Sequence, residues 1–96
     1  MPVTMNRKRF ALGQLVATPG VLAAMETNGQ GCTEFLERHV SGDWGELCGE
    51  DKQANEEALE QGCRLLSAYR LEDGAKLWII TEADRSSSCV LLPSEY

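Results

Sequence analysis

Lys76-Leu77-Trp78-Ile79-Ile80-Thr81-Glu82 is the most apolar run of this chain, and its β-branched and aromatic content reads as a strand. Upstream, Cys63-Arg64-Leu65-Leu66-Ser67-Ala68-Tyr69 has the same character, and Leu71-Glu72-Asp73-Gly74 between them supplies an Asp-Gly turn signal, so the pair reads as a β-hairpin. Cys89-Val90-Leu91-Leu92 follows a short polar loop as a third strand. Whatever precedes this meander must pack on it.

The earlier segments are helical in pattern. Phe10 to Ala17 reads as a short strand that stops at Thr18-Pro19, where Thr caps a helix and Pro fits its first turn. That helix runs to about Thr27, with Val21, Leu22 and Met25 on one face, and Asn28-Gly29 ends it. Thr33 is the next cap, before a stripe of Phe35, Leu36, His39 and Val40. A third helix starts near Glu50 or Asp51 and runs to Gln61, with Ala54, Ala58 and Leu59 inward and Gly62 closing it. The expected fold is α+β: three short helices packed on a three- to four-stranded antiparallel sheet. Residues 1–9 read as a loose N-terminal arm with the only basic cluster, Arg7-Lys8-Arg9, and residues 10–96 as one domain. On the central strand Trp78 and Ile80 lie opposite Leu77, Ile79 and Thr81, so both sheet faces carry apolar residues. An apolar face left open is a reason to form a homodimer.

Charge and cysteine usage narrow the function classes. The net charge is −6, and residues 43–60 hold Asp43, Glu46, Glu50, Asp51, Glu56, Glu57 and Glu60 against Lys52 alone. A solvated helix face explains such a run, and an acidic surface that binds a basic partner or imitates a nucleic-acid backbone is the sharper reading. The negative balance argues against broad nucleic-acid binding, which depends on clustered Lys and Arg. The four cysteines, at 32, 48, 63 and 89, form no C-x-x-C pair and stand with a single histidine, His39, so neither a metal site nor any other cofactor is expected. Cys63 and Cys89 read as small core residues. No apolar run is long enough to cross a bilayer, and Met1 to Arg9 leads into no apolar secretory segment, so the expected location is cytoplasmic.

The residues able to do chemistry are few. Glu82, Asp84 and Arg85 stand where the central strand ends, with Ser86 to Ser88 following, and Arg64 enters the neighbouring strand. A carboxylate, two arginines and a histidine gathered there would suit acid–base chemistry on a phosphodiester, with Arg64 and Arg85 stabilising charge and His39 or Glu82 moving protons. A surface ion pair and turn cap is the plainer explanation. Arg38-His39 before Gly42-Asp43-Trp44-Gly45 is the second candidate region, where Trp44 either folds onto the core or offers a flat surface to a ligand. Asp43, Trp44, Ser67, Tyr69 and Asp84 are the candidate binding residues. No G-x-S-x-G context or glycine-rich phosphate loop is present, so a serine hydrolase or nucleotide-binding reading has no support in the sequence.

Leu12-Gly13-Gln14, Thr18-Pro19-Gly20, Arg38-His39, Gly42-Asp43-Trp44-Gly45, Arg64 with Ser67-Ala68-Tyr69, Trp78-Ile79-Ile80-Thr81-Glu82-Ala83-Asp84-Arg85-Ser86 and Leu91-Leu92-Pro93 with Glu95-Tyr96 together resemble a family of short, uncharacterised bacterial proteins carried on plasmids, phages and other mobile elements. Where that family is expected to have paired threonines this chain has Ser87-Ser88, which keeps the hydroxyls. The resemblance implies an accessory role and no defined activity. Arg64-Leu65-Leu66 followed by a hairpin and Thr81-Glu82-Ala83-Asp84-Arg85-Ser86 is also similar in layout to the last strands of small ribonucleases of the barnase and RelE-like group, but where those often carry a late-loop catalytic histidine this chain has Arg85, and its one histidine, His39, lies far upstream. Three readings follow: an accessory protein of a mobile element that binds a protein or small-molecule partner, a ribonuclease-like phosphodiester-cleaving domain, or an acidic inhibitor of a host defence system that mimics nucleic acid.

Overall fold

The computed structural model describes residues 8–96, so most of the expected arm at residues 1–9 lies outside the described residues. The elements run β1 (Gln14–Ala17), α1 (Pro19–Asn28), α2 (Cys32–Val40), α3 (Gly49–Gln61), β2 (Leu65–Arg70), β3 (Lys76–Thr81) and β4 (Ser87–Leu91), with a short 3-10 turn at Pro93–Glu95. This is the expected α+β architecture with three helices and a four-stranded sheet.

The meander pairs antiparallel as its turn signals require. Leu66 stands opposite Ile80 and Ala68 opposite Trp78, while Ile79 faces Val90 and Thr81 faces Ser88. At the hairpin, Leu71 N–H donates to Ala75 O at 2.8 Å and the Asp73 carboxylate accepts Ala75 N–H at 2.9 Å. The sheet order is β1-β4-β3-β2, and β1 pairs with β4 in parallel. The sheet is therefore mixed, a correction to the expected all-antiparallel arrangement. The cause is the crossover: α1, α2, α3 and the β2–β3 hairpin all intervene before the chain returns beside β1, and a connection of that length allows parallel pairing.

Local signals account for the helix ends. Thr18 Oγ1 accepts Val21 N–H at 3.3 Å, Pro19 occupies the first helical position, and Gly29 closes α1 in the left-handed region. α1 has no acidic residue in its own first turn, and Glu95 supplies the missing anion from the far end of the chain. Its carboxylate accepts Gly20 N–H at 3.0 Å and the Thr18 hydroxyl, which, with the Leu92 N–H, holds it below the usual carboxylate range.

Several expected boundaries shift. α2 begins at Cys32 with Gly31 at its cap, not at Thr33. Of the predicted inward residues, Leu22 is half exposed and Ala54 is exposed, while Asn55 is buried in its place. Cys63 is exposed rather than a core residue, because β2 begins two residues later. All four cysteines are free thiols.

Val21, Met25, Phe35, Leu36, Tyr69, Leu71, Leu77, Ile79 and Val90 form the main core between the sheet and the first two helices. A smaller cluster of Trp44, Ala58 and Leu65, with Phe10, Leu47 and Leu59 against it, joins α3 to the β2 side. The opposite sheet face carries Leu66, Trp78, Ile80 and Leu91, of which Ile80 and Leu91 are buried, and the chain's end crosses it: Tyr96 packs edge-on against Trp78, ring centroids 5.7 Å apart.

Candidate functional site

The period-two alternation of β3 places Thr81 on the core face with Leu77 and Ile79, so its hydroxyl needs a partner in the interior. α2 brings His39 to the same place by its apolar stripe, and His39, Ser67, Thr81 and Ser88 are all fully buried. They form one hydrogen-bonded chain. His39 Nδ1 lies 2.5 Å from Ser67 Oγ and Nε2 lies 2.9 Å from Thr81 Oγ1. Thr81 Oγ1 is 2.7 Å from Ser88 Oγ, which donates to Leu12 O at 2.8 Å.

The end of that chain fixes its direction. A carbonyl only accepts, so the Ser88 proton goes to Leu12 and Ser88 must accept from Thr81. Thr81 has then used its one proton and accepts from His39 Nε2–H. His39 is the Nε2–H tautomer, and its Nδ1 accepts from Ser67. Burial pushes its pKa down to about 4, helped by the nearby positive charge of Arg85, so the ring is neutral at neutral pH. Phe10 and Trp44 enclose it edge-on, at 5.1 and 5.8 Å between centroids. Both nitrogens are occupied and no face reaches solvent. His39 serves as a buried link between helix and sheet.

Arg85 is held just as fully. It is the one non-glycine residue with positive φ (61°) among the described residues. That backbone turns its guanidinium back over the loop, where it donates to Cys63 O at 2.6 Å, Glu82 O at 3.0 Å, Ala83 O at 3.2 Å and Ala58 O at 3.3 Å. It clamps the C-terminal carbonyls of α3 to the β3–β4 loop, a favourable place for a cation. Glu82 and Asp84 are exposed, and Asp84 accepts Ser86 N–H at 3.0 Å, which with the Ser86 hydroxyl keeps its carboxyl below the ordinary range. Arg64 points elsewhere, donating to Tyr96 OH at 2.9 Å. Arg64, Glu82, Arg85 and His39 therefore do not line one cleft.

The Asp43–Trp44 loop is built as structure. Arg38 Nε donates to the Asp43 carboxylate at 2.7 Å, the main reason its pKa is lowered, and the other Asp43 oxygen accepts Gly45 N–H at 3.1 Å. Tyr69 OH donates to Asp43 O at 2.5 Å, and burial raises the phenol pKa. Trp44 is 3% exposed and donates its indole N–H to Glu56 at 2.9 Å, so the ring offers no flat surface to a ligand. Trp44 folds onto the core, the first of its two readings. Three carboxylates of the acidic stretch are paired: Asp43 with Arg38, Glu46 with Arg70, and Glu56 with Arg9. Among the described residues, no group of three His, Cys, Asp or Glu side chains is placed to hold a metal.

Among the described residues, one apolar pocket of about 260 Å³ lies between α2 and β1, lined by residues including Leu12, Leu15 and Leu36, and two more flank Trp78 on the sheet face turned away from the core. A pocket of about 250 Å³ is lined by Arg64, Leu66, Trp78, Ile80 and Tyr96. On the other side of Trp78 a more polar pocket of about 220 Å³ is lined by residues including Glu46, Asp51 and Lys76. Sequence reasoning singled out Arg64 but not its place beside Tyr96. Its one available signal was the alternation that puts Trp78 and Ile80 on the face away from the core.

The fold and this face define the chain as a small α+β domain with a mixed four-stranded sheet and one aromatic, partly open sheet surface. No family model, no curated protein and no solved structure matches it. Among the described residues, no helix is long and apolar enough to cross a membrane.

Proposed function

We propose that this chain is a small accessory protein of a mobile genetic element that acts by binding a partner, with the sheet face around Trp78 as the contact surface. The mobile-element setting rests on the sequence resemblance. The binding surface rests on one observation: Trp78 stands half-buried between two pockets on the sheet face turned away from the main core, with Arg64 and Tyr96 at one side and Lys76 and the start of α3 at the other. Aromatic and arginine side chains on a partly apolar surface are the usual anchors of a protein interface. Two of the four groups a catalytic reading would use are engaged inside the protein, His39 in the hydroxyl chain and Arg85 on four carbonyls, and the exposed Arg64 and Glu82 do not join them in one cleft. The nucleic-acid mimic is favoured less, since Asp43, Glu46 and Glu56 are neutralised by arginines.

Affinity capture from the bacterial host tests this reading. A partner retained by the wild-type chain should be lost with Trp78→Ala and weakened with Arg64→Ala, and kept with Glu57→Ala. Labelled RNA incubated with the wild type should stay intact. RNA cut by the wild type and spared by Arg64→Ala would overturn the binding reading in favour of the enzyme.

A further inference from the structure

The two edges of the sheet are treated in opposite ways. On the β2 edge the outward backbone groups of Leu66 and Ala68 are satisfied. Asn55 of α3 donates to Leu66 O at 2.6 Å and accepts Leu66 N–H at 3.2 Å. Next to it, Ala68 N–H donates to Trp44 O at 3.2 Å and Ala68 O accepts Glu46 N–H at 2.7 Å. The β1 edge has no such cover among the described residues. Gln14 and Thr18 turn their N–H groups to β4, donating to Ser86 O at 2.9 Å and Val90 O at 3.1 Å. By the alternation of a parallel ladder, Leu15 and Ala17 then aim their N–H and C=O groups outward.

Nothing on β1 guards this edge. Exposed edge strands are ordinarily blunted by charge, proline within the strand, or a bulge. Gln14–Ala17 has none of these, and Phe10 to Met25 contains no Asp, Glu, Lys or Arg. Leu15 is 53% exposed, Val16 47% and Leu22 50%. In a chain of net charge −6, this uncharged stretch is one along which two identical molecules meet little like-charge repulsion, the nearest charges beside Leu15 being the opposite pair Lys8 and Glu37.

We propose that two copies of this chain join antiparallel through β1 about a two-fold axis at Val16, making one eight-stranded sheet. The strand is its own complement in that register. Leu15 and Ala17 are the outward-bonding residues on either side of Val16, so each Leu15 exchanges both backbone hydrogen bonds with Ala17 of the partner subunit. The large Leu15 side chain then lies beside the small Ala17 of the partner subunit, and the two Val16 side chains meet on the axis. A charged foreign strand would match this uncharged, self-complementary edge less well. The edge is a different surface from the Trp78 face, and the two proposals stand or fall separately.

Light scattering or sedimentation equilibrium over a concentration series tests it, with circular dichroism to verify folding. The wild type should reach twice the 10.6 kDa monomer mass. Val16→Lys, which sets two like charges against each other on the axis, should weaken association about tenfold or more. Val16→Thr should keep the dimer, and so should Trp78→Ala. With Cys48, Cys63 and Cys89, the last of which stands beside Val16 on β4, replaced by Ser, Val16→Cys should cross-link under mild oxidation, because facing residues of a non-hydrogen-bonded pair lie close enough for a disulfide, whereas Leu15→Cys should not. A monomer at every concentration overturns the proposal. So does a dimer indifferent to Val16→Lys, and a dimer lost with Trp78→Ala but not with Val16→Lys would put the contact on the sheet face.

Discussion

His39 and Ser67 share a buried hydrogen bond of 2.5 Å in which the serine is the donor. That direction follows from Leu12 O at the other end of the chain, and it makes the neutral ring part of the folded state. A proton on Nδ1 would turn an acceptor into a donor facing a hydroxyl already oriented toward it.

Stability should therefore fall on mild acidification. The folded pKa of His39, about 4, lies below the unfolded value of 6.5, so the unfolded chain binds the extra proton first. The contribution is complete above pH 6.5 and is lost as pH falls toward 4. Urea denaturation at pH 7 and pH 5 should differ by about 2 kcal/mol on this account. In His39→Gln that difference should shrink to a fraction. An unchanged pH dependence in the variant would show that another group carries it.

Asn55 acts as a substitute strand for the β2 edge. Asn55→Ala removes both bonds to Leu66 and should destabilise by about 2–3 kcal/mol, since a part-buried backbone donor and acceptor lose their partners. Chemical denaturation measures this. Asn55→Asp keeps the acceptor but not the donor, and should cost at least as much at neutral pH by setting a carboxylate against Leu66 O.

Arg85 combines a useful side chain with an unfavourable backbone conformation. Arg85→Ala should cost about 2 kcal/mol or more through the lost charge-assisted bonds. Arg85→Gly loses the same bonds but relieves the positive φ, so it should be about 1 kcal/mol less damaging than the alanine. Melting curves of the two variants make the comparison. An equal or larger loss for glycine would mean that the loop does not hold this conformation.

Gly45 and Gly29 both have positive φ but differ in surroundings. A Cβ on Gly45 would collide with the backbone carbonyl of Ala68, whereas one on Gly29 meets open space. Gly45→Ala should cost more than about 3 kcal/mol because backbone has to move as well. Gly29→Ala should cost only about 1 kcal/mol, for the left-handed conformation alone. Similar losses at both sites would mean that crowding at Ala68 is not what demands the glycine.

Local pattern determined much of this protein. The Thr18-Pro19 start and Gly29 stop of α1, the Phe35–Val40 stripe, the Asp-Gly hairpin and the antiparallel meander each follow from residues within a turn or two of one another, where steric and hydrogen-bonding preferences act directly. The α+β class follows from them. Long-range contact decided the rest. The parallel place of β1 beside β4, the hydroxyl chain from His39 to Leu12, the engagement of Arg85 with α3, and the burial of Trp44 against Glu56 join residues 7 to 76 positions apart. Such pairings leave no spacing in the sequence, because whether a polar side chain is a free reagent or an internal link depends on which carbonyl or hydroxyl folding brings to it.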